Sequence, residues 1–139
     1  MLVTAIAGLA QLFALSVRFT RDSGQFGAAL VVAQDKLESL RSLQFGYDGN
    51  GNPLTDPQLA SSPAASLTED IEPYVERLNE RGKVVGDSTA AFVRRWRIRA
   101  IAADEPAAIV IDVCAFEVTS NPTSAHAEAC LGTVRVRQP

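Results

Sequence analysis

The stretch ALVVAQDKLESLRSL, residues 29–43, decides how this chain folds. Its apolar residues Ala29, Val32, Ala33, Leu37, Leu40 and Leu43, with Leu30 beside them, recur at spacings of three and four. That is the period of a helix carrying one apolar stripe. Asp35, Lys36, Glu38 and Arg41 fall mainly between the apolar positions. The pattern stops at FGYDGNGNP, residues 45–53, where Gly, Asn, Asp and Pro cluster. Such a stripe needs a second element to lie against.

Upstream, MLVTAIAGLAQLFALSV (residues 1–17) contains no charge. No proline precedes Pro53, and Gly24 and Gly27 each weaken a helix by only roughly 1 kcal/mol relative to Ala. One long helix from residue 1 to about residue 43 is therefore expected, about 65 Å in length. A domain of this size cannot cover such a helix by itself. Residues 1–17 fall short of the about 20 apolar residues that span a bilayer. They also lack the basic lead-in and small-residue cleavage site of a secretory signal. Arg18 and Arg21 lie on the far side of the segment, against the positive-inside rule. The segment reads as a membrane helix whose beginning is missing.

Downstream, residues 46–70 are rich in Gly, Asn, Pro, Ser and Ala, which predicts a connecting loop with a turn of helix. The period then changes to two. YVERLNERGKVV (74–85) reads as a hairpin turning at NERG. AAFVRRWRIRAIA (90–102) alternates Trp96, Ile98 and Ala100 with Arg95, Arg97 and Arg99. AAIVIDVCAFEV (107–118) is a second strong strand, and LGTVRVRQ (131–138) alternates Val134 and Val136 with Arg135 and Arg137. The expected fold class is α+β: a long N-terminal helix packed on an antiparallel sheet of about four strands, with one apolar face. Residues 1–27 would be a protruding hydrophobic half-helix. Residues 28–139 would form the globular domain, with its loop at 46–70 and its sheet at 74–138. Leu37, Leu40, Trp96, Ile98, Ile111 and Val136 are the residues expected to hold helix to sheet. Leu2, Ile6, Leu9, Leu12, Phe13 and Val17 are those expected to pack outside the domain, in a membrane or against identical helices.

The totals exclude several function classes. Thirteen Lys and Arg against 16 Asp and Glu give a net charge of −3, without the basic excess of a nucleic-acid binder. One Trp and one His offer little for an aromatic platform or a histidine metal site. Cys114 and Cys130 are too far apart for a zinc or redox pair of the C-x-x-C kind. In an exported domain they would pair as a disulfide closing a loop of about 17 residues, worth roughly 3 kcal/mol. Two reduced, buried thiols are the other reading.

Three stretches, MLVTAIAGLAQLFALSV, AALVVAQDKLESLRSL (28–43) and the arginine-rich pair FVRRWRIRAI and TVRVR, together resemble the type IV pilin-like proteins. More narrowly, they are similar to minor pilins and to type II secretion pseudopilins. The resemblance covers most of the chain, with each stretch degenerate on its own. It implies an N-terminal helix, a connecting loop, an antiparallel sheet, and assembly into a filament cored by packed N-terminal helices. Family members open with a basic leader, a Gly at the cleavage point and a Phe-Thr-Leu-Ile-Glu-like run, and none of these stands here. Met1 thus falls about ten residues into the expected mature helix, as a gene start placed too late or a cut made for solubility would explain; the first is preferred, since a cut before so apolar a segment would be odd. As written, the chain is not expected to be processed by a prepilin peptidase.

Other constellations have plainer explanations. DGNGNPLTD (48–56) spaces Asp48, Asn50, Asn52 and Asp56 like a calcium loop, but Pro53 and Leu59 occupy the places that need Gly and Glu. A solvated turn is expected. Ser124, His126 and Glu128 crowd within five residues of a surface loop, which does not make an oriented triad. Arg94, Arg95, Arg97, Arg99, Arg135 and Arg137 form a stripe suited to a solvated sheet face, or to a rim meeting acids of a next subunit. Glu69, Asp70, Glu72 and Glu76 are the candidate acids.

The expected function is that of a non-enzymatic filament subunit, a minor pilin or pseudopilin. It would sit in a bacterial inner membrane with a periplasmic domain before entering the filament. Its partners would be other pilin subunits and the membrane, with no cofactor, metal or small-molecule substrate. The alternative is a single-pass anchored periplasmic binding domain that stays monomeric.

Overall fold

The computed structural model describes residues 27–102, 107–118 and 128–138. Its first element, helix α1, covers 27–41. Two short strands follow, β1 (Phe45–Tyr47) and β2 (Pro53–Thr55), and then single 3-10 turns at Pro57–Leu59 and Ala64–Leu67. The main sheet comprises β3 (Val75–Leu78), β4 (Phe92–Ala100), β5 (Ala108–Glu117) and β6 (Glu128–Val136). All its neighbours are antiparallel, in the order β3-β4-β5-β6. The protein is therefore α+β, one helix on a four-stranded antiparallel sheet, with a separate two-stranded sheet. Of the expected long helix, the described part is 27–41, and residues 1–26 lie outside the described region. Among the described residues no helix is long and apolar enough to cross a membrane.

The helix buries Ala29, Ala33, Leu37 and Leu40 against Trp96, Ile98, Ile109, Ile111, Val113, Ala115 and Ala129. These sheet residues share one face because the ladder sets Trp96 opposite Val113, Ile98 opposite Ile111, and Ala115 opposite Ala129. Phe45 and Leu59 close the core at one end.

The segment expected to be loop holds a hairpin. Asp48 makes the turn: its Oδ1 accepts the amides of Asn50 and Asn52, and Gly51 takes the positive φ of 81° that a side chain resists. A three-residue strand leaves too short an alternation to stand out in sequence. The NERG turn forms as expected. Asn79 accepts the amides of Arg81 and Lys83, and Gly82 adopts φ 79°. The returning arm contributes only a bridge from Val84 to Leu78. Strand β3 is shorter than β4, and Ser62 completes the exposed ladder there. Its amide donates to the Ile98 carbonyl, and its Oγ accepts the Ile98 amide, both at 2.9 Å.

Cys114 and Cys130 form a disulfide across directly opposed positions of β5 and β6. It sits on the sheet face away from the helix, because Val113 and Ala115 on either side of Cys114 point into the core.

Candidate functional site

The charges that matter most lie between helix and sheet. Lys36 follows Ala33 by three positions and precedes Leu40 by four, so it falls inside the buried arc of α1. Arg94 has the same strand parity as Trp96 and Ile98 and also faces inward. Both side chains are buried, and both meet Glu76, which β3 places opposite Arg94. The Lys36 ammonium donates to Glu76 Oε1 at 3.0 Å. Arg94 Nε and Nη2 reach Glu76 Oε2 at 2.7 and 2.6 Å. Arg94 Nη1 turns to α1, donating to Asp35 Oδ2 at 3.2 Å and to the Val32 carbonyl at 3.3 Å.

Burial pushes the Glu76 carboxyl upward, but the hydrogen bonds from Lys36 and Arg94 outweigh it and hold the pKa below the ordinary value. An ionised carboxylate already engaged by two cations is suited to holding elements together, not to exchanging protons. Lys36 also lies 3.9 Å from the centre of the Trp96 ring, a cation–π contact. Lys36, Leu40, Pro73, Tyr74, Glu76 and Trp96 border a cleft of about 230 Å³.

At the far end of β6 two arginines serve the same purpose. Arg135 stands opposite Ile109 and therefore on the helix side. Its Nη1 donates to the Leu40 and Leu43 carbonyls at 3.3 and 2.8 Å, where α1 ends and, among the described residues, the Leu40 carbonyl otherwise accepts only the long 3.4 Å bond from the Leu43 amide. Desolvation, then the nearby Arg41 charge, lowers the Arg135 pKa. Arg137 donates to the Gly46 and Leu54 carbonyls at 2.9 and 3.2 Å, and its guanidinium lies 4.2 Å from the Phe45 ring centre. It clamps both strands of the small hairpin to the main sheet.

The expected arginine stripe is thus divided between two faces. Arg94, Arg135 and Arg137 point toward the helix side, while Arg95, Arg97 and Arg99 lie on the other. The outer arginines meet acids of their own chain. Arg95 Nη2 is 2.7 Å from Asp70 Oδ1, and Arg77 binds the other oxygen of Asp70. The Arg95 hydrogen bond leads in holding Asp70 below the ordinary carboxylate range. Arg97 reaches Asp112 Oδ2 at 3.1 Å, and Arg99 stands 3.8 Å from the same oxygen. Gly132, opposite Asp112, leaves that carboxylate its room: a Cβ there would sit 2.8 Å from Asp112 Oδ1. Asp70 and Glu76, considered as acids for a next subunit, are consumed within this one.

Leu37, Leu40, Trp96, Ile98 and Ile111 all belong to the core. Val136 does not. It pairs with Ala108 on the outer face and is 64% exposed. Apolar character suggested that the valines of TVRVR face inward, but the arginines take that side and find acceptors there, at the carbonyls of the helix end and the small hairpin. Lys36 and Arg94 were legible as inward positions from spacing and parity alone, and their charge obscured this.

The Asp48 loop holds no cation-ready cage. Asp48 accepts from Asn52 and Asn50, and these bonds, led by the Asn52 amide, lower its pKa. Among the described residues no cluster of three His, Cys, Asp or Glu side chains is arranged for a metal. Ser124 and His126, together with Leu2, Ile6, Leu9, Leu12, Phe13 and Val17, lie outside the described residues, and nothing is described of the Glu128 side chain.

No protein-family model matches the chain, and neither a curated protein nor a solved structure is significantly similar to it.

Proposed function

We propose that this chain is a non-enzymatic assembly subunit of the type IV pilin-like kind, a minor pilin or secretion pseudopilin. The observation that carries the reading is the placement of α1. It buries its stripe on a four-stranded antiparallel sheet, and in sequence an uncharged apolar segment, residues 1–17, lies nine residues upstream of it, with no proline between. In this reading the helix extends upstream as one long element, anchors the subunit in the bacterial inner membrane, and packs with its neighbours when the filament forms. Leu2, Ile6, Leu9, Leu12, Phe13 and Val17 make those contacts. The sheet, the disulfide and the Lys36–Glu76–Arg94 cluster keep the globular part rigid while the helix transmits assembly. Low copy number, at initiation or at the tip, fits a minor component.

The test is Leu12→Lys in the full chain, since a charge in a packed apolar helix costs several kcal/mol. The variant should disappear from the sheared filament fraction, keep the Cys114–Cys130 disulfide, and retain the wild-type unfolding midpoint. Loss of the fold would instead assign residues 1–17 to the domain's own core. Unchanged incorporation would remove the filament reading.

A further inference from the structure

The outer face of the sheet ends in an apolar corner defined by register. Arg99, Val110 and Val134 form one row across β4, β5 and β6. Ala108 and Val136 form the next, with Ile101 alongside, its amide donating to the Ala108 carbonyl. Ile101 is 57% exposed and Val134 56%, beside the exposed Val136. Arg99 holds only the distant share of Asp112, whose carboxylate Arg97 engages more closely, and its side chain is 55% exposed.

On the opposite side of the domain, α1 turns a second stripe outward. Ala28, Val31, Asp35 and Glu38, at spacings of three, four and three, are all exposed, Val31 at 65%. The stripe is apolar at its start and acidic at its end. Among the described residues Glu38 pairs with the exposed Arg41, one turn on, a contact worth little.

We propose that this helix stripe docks on the Arg99–Val134–Val136 corner of a second copy of the chain, Val31 against the valines and Glu38 toward Arg99. The dimensions agree. Val31 to Glu38 spans about 10 Å at the helical rise, and three strands about 4.8 Å apart span the same. The charges select this pairing over the symmetric ones. Corner on corner would oppose two Arg99 guanidiniums, and stripe on stripe would oppose two Glu38 carboxylates, Asp35 being engaged by Arg94 of its own chain. The two surfaces differ and lie on opposite sides of the helix–sheet layers, so the contact is head-to-tail and can repeat without closing. The inference rests on the filament reading and names the surfaces through which globular domains meet within it.

The experiment places a photoreactive residue at Val134 in the full chain, in expressing cells. A second strain carries the probe at Leu12, which reports the helix packing of the filament reading independently. The Val134 probe should give a dimeric adduct whose second peptide covers residues 28–38. Arg99→Glu and Glu38→Arg should each reduce that adduct at least about fivefold, and together restore it to within about twofold of wild type. Adducts to another segment or another protein, the absence of an adduct, or singles that weaken it without rescue by the double, each overturn the proposal. A Leu12 adduct between copies with no Val134 adduct removes this contact and leaves the filament reading standing. A Val134 adduct without a Leu12 adduct does the reverse.

Discussion

Arg94 stands directly opposite Glu76 across the β3–β4 ladder, and its guanidinium closes on the carboxylate at 2.6 Å on the helix side of the sheet. Lys36 reaches the same carboxylate from α1, so one acid ties the helix to two strands. Removing that acid takes the carboxylate from the buried Lys36 and leaves the buried Arg94 with Asp35 as its carboxylate. Glu76→Gln should therefore destabilise the protein by about 3 kcal/mol, read as the shift in a urea unfolding midpoint. A change below about 1 kcal/mol would mean that solvent supports both cations.

The same carboxylate, with Asp70, sets an acid limit. Glu76 and Asp70 titrate below their ordinary values in the folded protein. Between the unfolded and the folded pKa the unfolded chain binds more protons, so stability rises with pH there. Their contribution is complete above the unfolded values and is lost as pH falls through the folded ones. Unfolding followed against pH should show the decline setting in below about pH 5, and Glu76→Gln should flatten it. An equally steep decline in that variant would place the acid sensitivity elsewhere.

Val136 and Ile98 separate the two faces of the sheet. Ile98 is fully buried, whereas Val136 is exposed. Ile98→Ala should cost about 2–5 kcal/mol. Val136→Ser should stay within about 0.5 kcal/mol. If Val136→Ser proved as costly as Ile98→Ala, β6 would have to present its valines to the core.

Arg135 offers a test of the helix end. With Arg135→Ala, the Leu40 and Leu43 carbonyls lose their guanidinium partner. A loss of about 1–2 kcal/mol is expected, with faster hydrogen exchange concentrated in the last turn of α1. Uniform exchange across the domain would indicate a general packing defect instead.

The cross-strand disulfide stabilises chiefly through the unfolded chain. Replacing Cys114 and Cys130 together by alanine should lower stability by roughly 3 kcal/mol without disturbing the β5–β6 ladder. Amide protection at Val113 and Leu131, opposed in the same ladder, would report that register directly.

Much of this architecture is written in local periodicity. The stripe Ala29, Ala33, Leu37 and Leu40 requires a helix with one buried face, and the alternation around Trp96 and Ile98 requires a strand. These patterns depend on bond geometry within a few residues, so the α+β class, the three long strands and the NERG turn were readable without tertiary information. The hairpin at Phe45 and Thr55 was not, because its strands are too short to show a period.

What the sequence could not decide is which way TVRVR turns. Alternation divides Val134 and Val136 from Arg135 and Arg137 equally well for either orientation. Shifting a strand by one residue exchanges its faces. Hydrophobicity alone favours the valines inside. The tertiary structure chooses the arginines, because the end of α1 and the small hairpin bring carbonyls to that end of the sheet. The Arg135 and Arg137 guanidiniums find acceptors on that side, at the Leu40, Leu43, Gly46 and Leu54 carbonyls, whereas turned outward they would leave these contacts unmade. Local residue order set the elements and their two-faced character. Which charges became internal ties was settled by packing in three dimensions, since that depends on where the ends of distant elements meet.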